Sequence, residues 1–195
     1  MKKQTIAIHT PYVRPDAYGA LAVPIYNNVS FEFKDAQEMA DAFCNRIKAP
    51  DYARIANPTV TQFEQRVKAL TDADHVTAFN SGMAAISTAL LAVVAQGENI
   101  VTSRHLFGNT LAFISGTLLR LGIKPRLRDL TNLEAVEAAI DEQTACVFLE
   151  IVTNPQLEVA DLKAIAEIAH RKGVPVIADS TVIPFTETNL KDLDS

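Results

Sequence analysis

The sequence predicts an α/β fold: a mostly parallel sheet flanked by helices. Three observations carry that expectation. From residue 58 onward, strand-like and helix-like segments alternate. The run 145–150 is continuously apolar up to its final glutamate, the pattern of a strand covered on both faces. Gly122 and Gly173 sit where helical periodicity stops and a strand begins. Alternating strands and helices imply right-handed crossovers, and ligands in such sheets gather at the carboxyl ends of the strands.

Taken in order, residues 1–51 stand apart. Pro11, Pro15 and Pro24 and scattered aromatics interrupt any period, leaving one short amphipathic piece at 36–46. There is too little periodic apolar surface to fold alone, so 1–51 is expected to be an arm packing on a partner subunit, ahead of a domain at 52–195. Pro58 suits a first helical position after Asn57, and Thr59 to Gln62 offers an alternative capping box; Phe63, Val67 and Leu70 mark one face of this helix. A β-rich stretch at 75–79 breaks at Asn80-Ser81-Gly82-Met83 into a helix-forming run, 84–94. A strand at 99–103, a helix at 110–121 and a weaker strand at 123–128 follow. Leu133, Val136 and Ile140 give the next helix face, then comes the strand at 145–150. Leu162, Ile165, Ile168 and Ala169 mark the last helix, and 174–178 is a strand again.

Composition narrows the function classes. The chain has 195 residues, enough for one full-sized domain, with 48% hydrophobic and 21% charged residues, an ordinary globular balance. A net charge of -5 with no basic, aromatic-interleaved stripe argues against a nucleic-acid partner. Arg120, Lys124, Arg126 and Arg128 form the nearest approach to a basic patch and are expected to be a solvated strand edge. Cys44 and Cys146 lie far apart, so neither a disulfide framework nor a metal site is expected. No stretch approaches a membrane span and no export signal follows the first residues, which makes the cytoplasm the expected location.

The strand ends hold the chemistry. At Asn80 to Met83 a helix start offers unpaired N–H groups and a partial positive charge, and Gly82 allows close approach to the backbone, so phosphate is the first candidate ligand. The same turn also reads as an ordinary junction capped by Asn80 or Ser81. Two other strands bring Glu150 with Asn154, and Asp179-Ser180-Thr181, to the same rim. Phosphate and carboxylate in one site repel unless something cationic lies between them. A protonated pyridine ring bearing a phosphate meets that requirement, its ring nitrogen paired with the carboxylate.

These residues resemble the Cys/Met-metabolism family of pyridoxal-phosphate enzymes. The stretches that carry the resemblance are Gly19-Ala20 with Pro24-Ile25-Tyr26, Tyr52 to Thr59, Ser81 to Ile86, Gly108-Asn109-Thr110, Glu150 with Asn154-Pro155, and Asp179-Ser180-Thr181 with Pro184. It implies the large domain of an aspartate-aminotransferase-like fold, pyridoxal 5'-phosphate as cofactor, an amino-acid substrate and a homo-oligomer arranged as a dimer of dimers. Cofactor binding would fall to Ser81, Gly82, Met83, Phe107, Asn154, Asp179 and Thr181, with Tyr52 and Arg54 reaching the neighbouring subunit's cofactor phosphate. Asp179 at the ring nitrogen and Phe107 stacked on the ring would be the catalytic pair; Glu150 would either take part or only orient its neighbours.

The departures sharpen the implied activity. Most of the family has a stacking tyrosine where this chain has Phe107, so the aromatic face stays and the phenol is lost. His105 lies close by, but a lone histidine near a strand end is expected to be satisfied by a neighbour. The family's Schiff-base lysine, following a Ser/Thr-rich strand, has no counterpart up to Ser195: Lys191 lacks that context, and Lys163 and Lys172 fit a solvated helix. The resemblance thus implies about half of a transsulfuration-type enzyme working on a γ- or β-substituted amino acid, an O-acylhomoserine sulfhydrylase by the Phe107 departure. Methionine γ-lyase or cystathionine lyase is the alternative within the family. Outside it, a truncated remnant that binds cofactor or partner subunits without turnover is the other expectation.

Overall fold

A computed structural model describes residues 2–11 and 18–183. The chain divides into two compact units, Met1–Ala78 and Phe79–Ser195. Pro15, Pro184 and Lys191 fall outside the described residues.

In the first unit, helix α1 (Lys3–His9) occupies a stretch in which the sequence showed no period. Helix α2 (Ala36–Phe43) answers the amphipathic piece; Asp35 caps it by accepting from the Glu38 N–H, while the Glu38 side chain accepts from the Lys34 N–H. Helix α3 (Pro58–Thr71) begins at Pro58 with Asn57 as its cap. The alternative capping box is not used. Thr59 turns its hydroxyl to the arm, donating to the Pro24 carbonyl and accepting from the Tyr26 N–H, and Asn57 donates to the Tyr26 carbonyl. A bridge between Ser30 and Tyr52 adds to these ties. The expected apolar face of α3 is not a buried one: Phe63 is 56% exposed, and Gln62 is the residue buried there.

Stretch 75–79 forms no strand. β-Rich composition makes a strand only where a neighbouring edge supplies ladder partners. Here the backbone bonds elsewhere; the Ala78 N–H donates to the Glu64 carboxylate at 2.8 Å.

The second unit is the expected parallel sheet. Helix α4 (Gly82–Val93) leads into strand β1 (Asn99–Ser103). Helix α5 (Gly108–Ala112) continues into a π-helical segment (Phe113–Leu118), longer at its start than expected. Strand β2 (Lys124–Arg128), helix α6 (Leu133–Ala139), strand β3 (Thr144–Glu150), helix α7 (Leu162–Arg171) and strand β4 (Val176–Asp179) complete it. Gly122 and Gly173 take positive φ, 83° and 70°, ahead of β2 and β4, which is the conformation glycine adopts at little cost.

Strand order is β2-β1-β3-β4, all pairs parallel. Alternate side chains then feed two cores. Val101, Val147 and Leu149 join Val136, Ile165 and Ala169 on one face. Ile100, Cys146 and Phe148 join Leu90, Ile114 and Leu118 on the other. Burying each of the valine, leucine, isoleucine and phenylalanine side chains among these contributes about 1.5–3 kcal/mol, which outweighs local propensity. Edge strand β2 is half-exposed, as the basic residues on it led one to expect, though Arg126 also bonds the Ala139 carbonyl and Asp141.

Candidate active site

The chain leaves β1 toward β2 and leaves β3 toward β4, on opposite sides of the β1–β3 pair. That is the switch point at which an open parallel sheet forms a crevice beyond its strand ends. A cavity of about 360 Å³ lies there, lined by Ser81, Gly82, Met83, Phe107, Glu150, Asn154, Asp179 and Thr181 among others. Its volume suits a ligand of cofactor size.

Register explains how the carboxylates arrive. Glu150 and Asp179 are Cα partners on β3 and β4. Two residues after Phe148 and Ile177, they extend the rows that face α4 and α5. Ser81, whose hydroxyl accepts from the Ala84 N–H at 3.1 Å, is the cap of α4. The N–H groups of Gly82 and Met83 find no acceptor among the described residues, as the geometry of a helix start dictates. A Cβ added to Gly82 would meet nothing within 4 Å, and its φ is not positive. Neither backbone strain nor a neighbouring atom requires glycine there; the space belongs to the cavity.

Phe107 precedes α5 and is 45% exposed, presenting its ring to the cavity. Asn154 stands in the turn after β3, with a cis peptide to Pro155. Asp179 ends β4, and its Oδ1 accepts from both the N–H and the hydroxyl of Thr181, leaving Oδ2 without a partner among the described residues. Seven of the nine cofactor-binding candidates therefore share one cavity. The other two, Tyr52 and Arg54, belong to the first unit, where the Arg54 guanidinium lies over the Tyr52 ring at 4.6 Å.

Glu150 is the residue sequence reasoning undervalued. It is 6% exposed. Its Oε1 accepts from the Phe107 N–H at 2.7 Å and its Oε2 from the Asn154 N–H at 3.3 Å. Burial pushes its carboxyl above the ordinary range, these two N–H groups pull it back, and Asp179 pushes it up again. The signal was present as a charged residue closing an apolar run, because a buried charge is retained only where partners repay it. Thr110, fully buried with its hydroxyl 3.6 Å from the Met83 sulfur, entered the sequence reading only as part of the Gly108-Asn109-Thr110 stretch, with no role of its own.

His105 is satisfied as expected, its Nδ1 2.7 Å from the Glu158 carboxylate. Lys172 caps α6 through the carbonyls of Glu137 and Ile140. Cys146 is buried, which pushes its thiol up to about 12 and leaves it unreactive. Among the described residues no group of acids, histidines and cysteines could hold a metal, and no helix is long and apolar enough to cross a membrane.

An anion cradle, an exposed aromatic ring and a carboxylate at one switch point fit a phosphorylated, cationic ring: Gly82 leaves the room, α4 the donors and Asp179 the free oxygen. Fold and site together define the class, a parallel α/β enzyme domain of the pyridoxal-phosphate type. The chain belongs to the Cys/Met metabolism PLP-dependent enzyme family, whose model matches residues 4–192. It is 37% identical to an L-methionine gamma-lyase of Fusobacterium nucleatum subsp. nucleatum over 98% of this chain and 49% of that protein. An O-acetylhomoserine sulfhydrylase structure from Wolinella succinogenes superimposes with a TM-score of 0.69 at 47% identity, over 70% of this chain and 39% of the other. A Campylobacter jejuni structure assigned as an O-acetylhomoserine (thiol)-lyase, carrying N'-pyridoxyl-lysine-5'-monophosphate, superimposes with a TM-score of 0.85 at 32% identity, over 92% of this chain and 44% of the other. The chain spans about half the length of the relatives it matches.

Proposed function

We propose that the protein is a transsulfuration-type enzyme that replaces the γ-substituent of an O-acylhomoserine with sulfur. The cavity that gathers the start of α4, Phe107, Asn154 and Asp179 carries this reading. The N–H groups of Gly82 and Met83, with the Ser81 hydroxyl free to donate, would bind the phosphate. Oδ2 of Asp179 would accept from the ring nitrogen and keep a proton there, while Thr181 holds Oδ1 in place. Phe107 would cover one ring face, and the Asn154 side chain would bond the ring hydroxyl oxygen. Bound pyridoxal phosphate supplies an electron sink for a negative charge at the substrate's Cα. Arg54, with no carboxylate partner among the described residues, would answer the phosphate charge of a second subunit.

The Phe107 departure supports replacement over elimination by analogy within the family, and the Wolinella sulfhydrylase at 47% identity supports the same reading. The Fusobacterium lyase supports γ-elimination from methionine as the second reading. The test supplies the whole protein carrying this chain with pyridoxal phosphate and either O-acetylhomoserine plus sulfide or methionine alone. Homocysteine formation in the first mixture, outpacing methanethiol release in the second, is the expected result; the reverse order selects the lyase. Asp179→Asn is expected to cost about a hundredfold or more in rate. An unimpaired variant defeats the reading.

A further inference from the structure

β1 and β3 stop sharing ladder bonds at Thr102 and Phe148. Beyond that point the two chains diverge to helices on opposite faces, α5 packing with the Phe148 core and α7 with the Leu149 core. Phe107 lies on one departing loop and Asn154 on the other. The Glu150 carboxylate spans the gap with one oxygen to each backbone. No basic side chain lies within salt-bridge distance of it among the described residues, so these N–H bonds answer for a buried charge that an aliphatic residue would not impose. A second bridge between the same loops, His105 to Glu158, is more than a third exposed on both sides and correspondingly weak.

We propose that Glu150 is a positioning residue of the pocket: its carboxylate takes over where the β1–β3 ladder ends and sets the separation of the Phe107 ring and the Asn154 amide. The inference rests on the reading of the cavity as a pyridoxal-phosphate site. Glu150→Gln keeps the size but offers one acceptor oxygen and an NH2 group, so one of the two backbone N–H groups meets a donor.

The experiment measures pyridoxal-phosphate affinity, visible circular dichroism of the bound cofactor and urea unfolding of the cofactor-free form, all on the whole protein. For E150Q the dissociation constant is expected to rise about tenfold and the dichroism to weaken, a loss larger than the accompanying fall in the stability of the cofactor-free form. Glu150→Asp, which keeps both oxygens on a shorter stem, should recover part of the dichroism. Wild-type affinity and dichroism in E150Q overturn the proposal, as does a loss matched by an equal drop in cofactor-free stability. Asp179→Asn separates the two readings. A D179N protein that binds pyridoxal phosphate as tightly as wild type overturns the cofactor pocket itself, and the Glu150 role with it. Weakened D179N beside unchanged E150Q overturns the Glu150 role alone. If E150Q does not fold, amide exchange in the unsubstituted protein decides: protection of the Phe107 and Asn154 N–H groups supports the bridge, and exchange of both at open-loop rates sinks it.

Discussion

Gly82 separates the needs of the fold from those of the ligand. Its backbone conformation is open to any residue and a Cβ would touch no protein atom, so Gly82→Ala should leave stability unchanged or raise it by less than about 1 kcal/mol. The same methyl group enters the space beside the unpaired N–H groups of α4. Pyridoxal-phosphate affinity is therefore expected to fall about tenfold or more, read by titration beside thermal unfolding of the cofactor-free protein. Equal binding by G82A would show that the cradle is not at this turn. Most of the candidate site was legible at this scale, since Ser81 to Met83 is a local helix-start motif and Asp179 with Thr181 a local motif at a strand end. Glu150 was the exception because its value lies in joining the Asn154 N–H, close by in the chain, to the Phe107 N–H, 43 residues away, which its own neighbourhood in the sequence does not reveal.

At the level of elements, the amino ends of the strands are tied through Asp141. Its carboxylate accepts from the Asn99 side chain on β1, from Arg126 on β2 and from the Gln143 N–H just before β3. Asn99 foremost, then Arg126, hold the carboxyl down, to about 2. A carboxyl whose folded value lies below its unfolded value lends stability that is present above the unfolded value and lost as pH falls toward the folded one. The urea midpoint of the unsubstituted protein should thus exceed that of Asp141→Asn at neutral pH, the gap closing as pH drops from about 4 to about 2. A gap independent of pH would show that Asp141 acts through shape and not charge. α7, with a strong internal period, and α4 and β3, unbroken helix-forming and apolar runs, were legible in the sequence because their own residues determine their type. Stretch 75–79 misled because its composition favours a strand while pairing depends on residues far away, and α1 was missed because seven residues show too little period.

For the whole molecule, the division into two units after Ala78 leaves Tyr52 and Arg54 in one and the cavity residues in the other. If Arg54 serves a neighbouring subunit's site, mixing Arg54→Ala subunits with Asp179→Asn subunits restores one intact site in each mixed dimer. Activity should recover to about a quarter of wild type after random reassembly. No recovery would place Arg54 and Asp179 in the same subunit's site. The sequence by itself determined the α/β class, the order of strands and helices in the second unit and most of the residues at the strand ends, because hydrophobic period, caps and glycine stops are local. Tertiary structure alone decided the strand order, hence the position of the switch point, and turned Glu150 from the last residue of an apolar run into a bridge between two loops. Which edge a strand pairs with, and which backbone a buried carboxylate must answer, depend on packing free energy summed over residues distant in the chain.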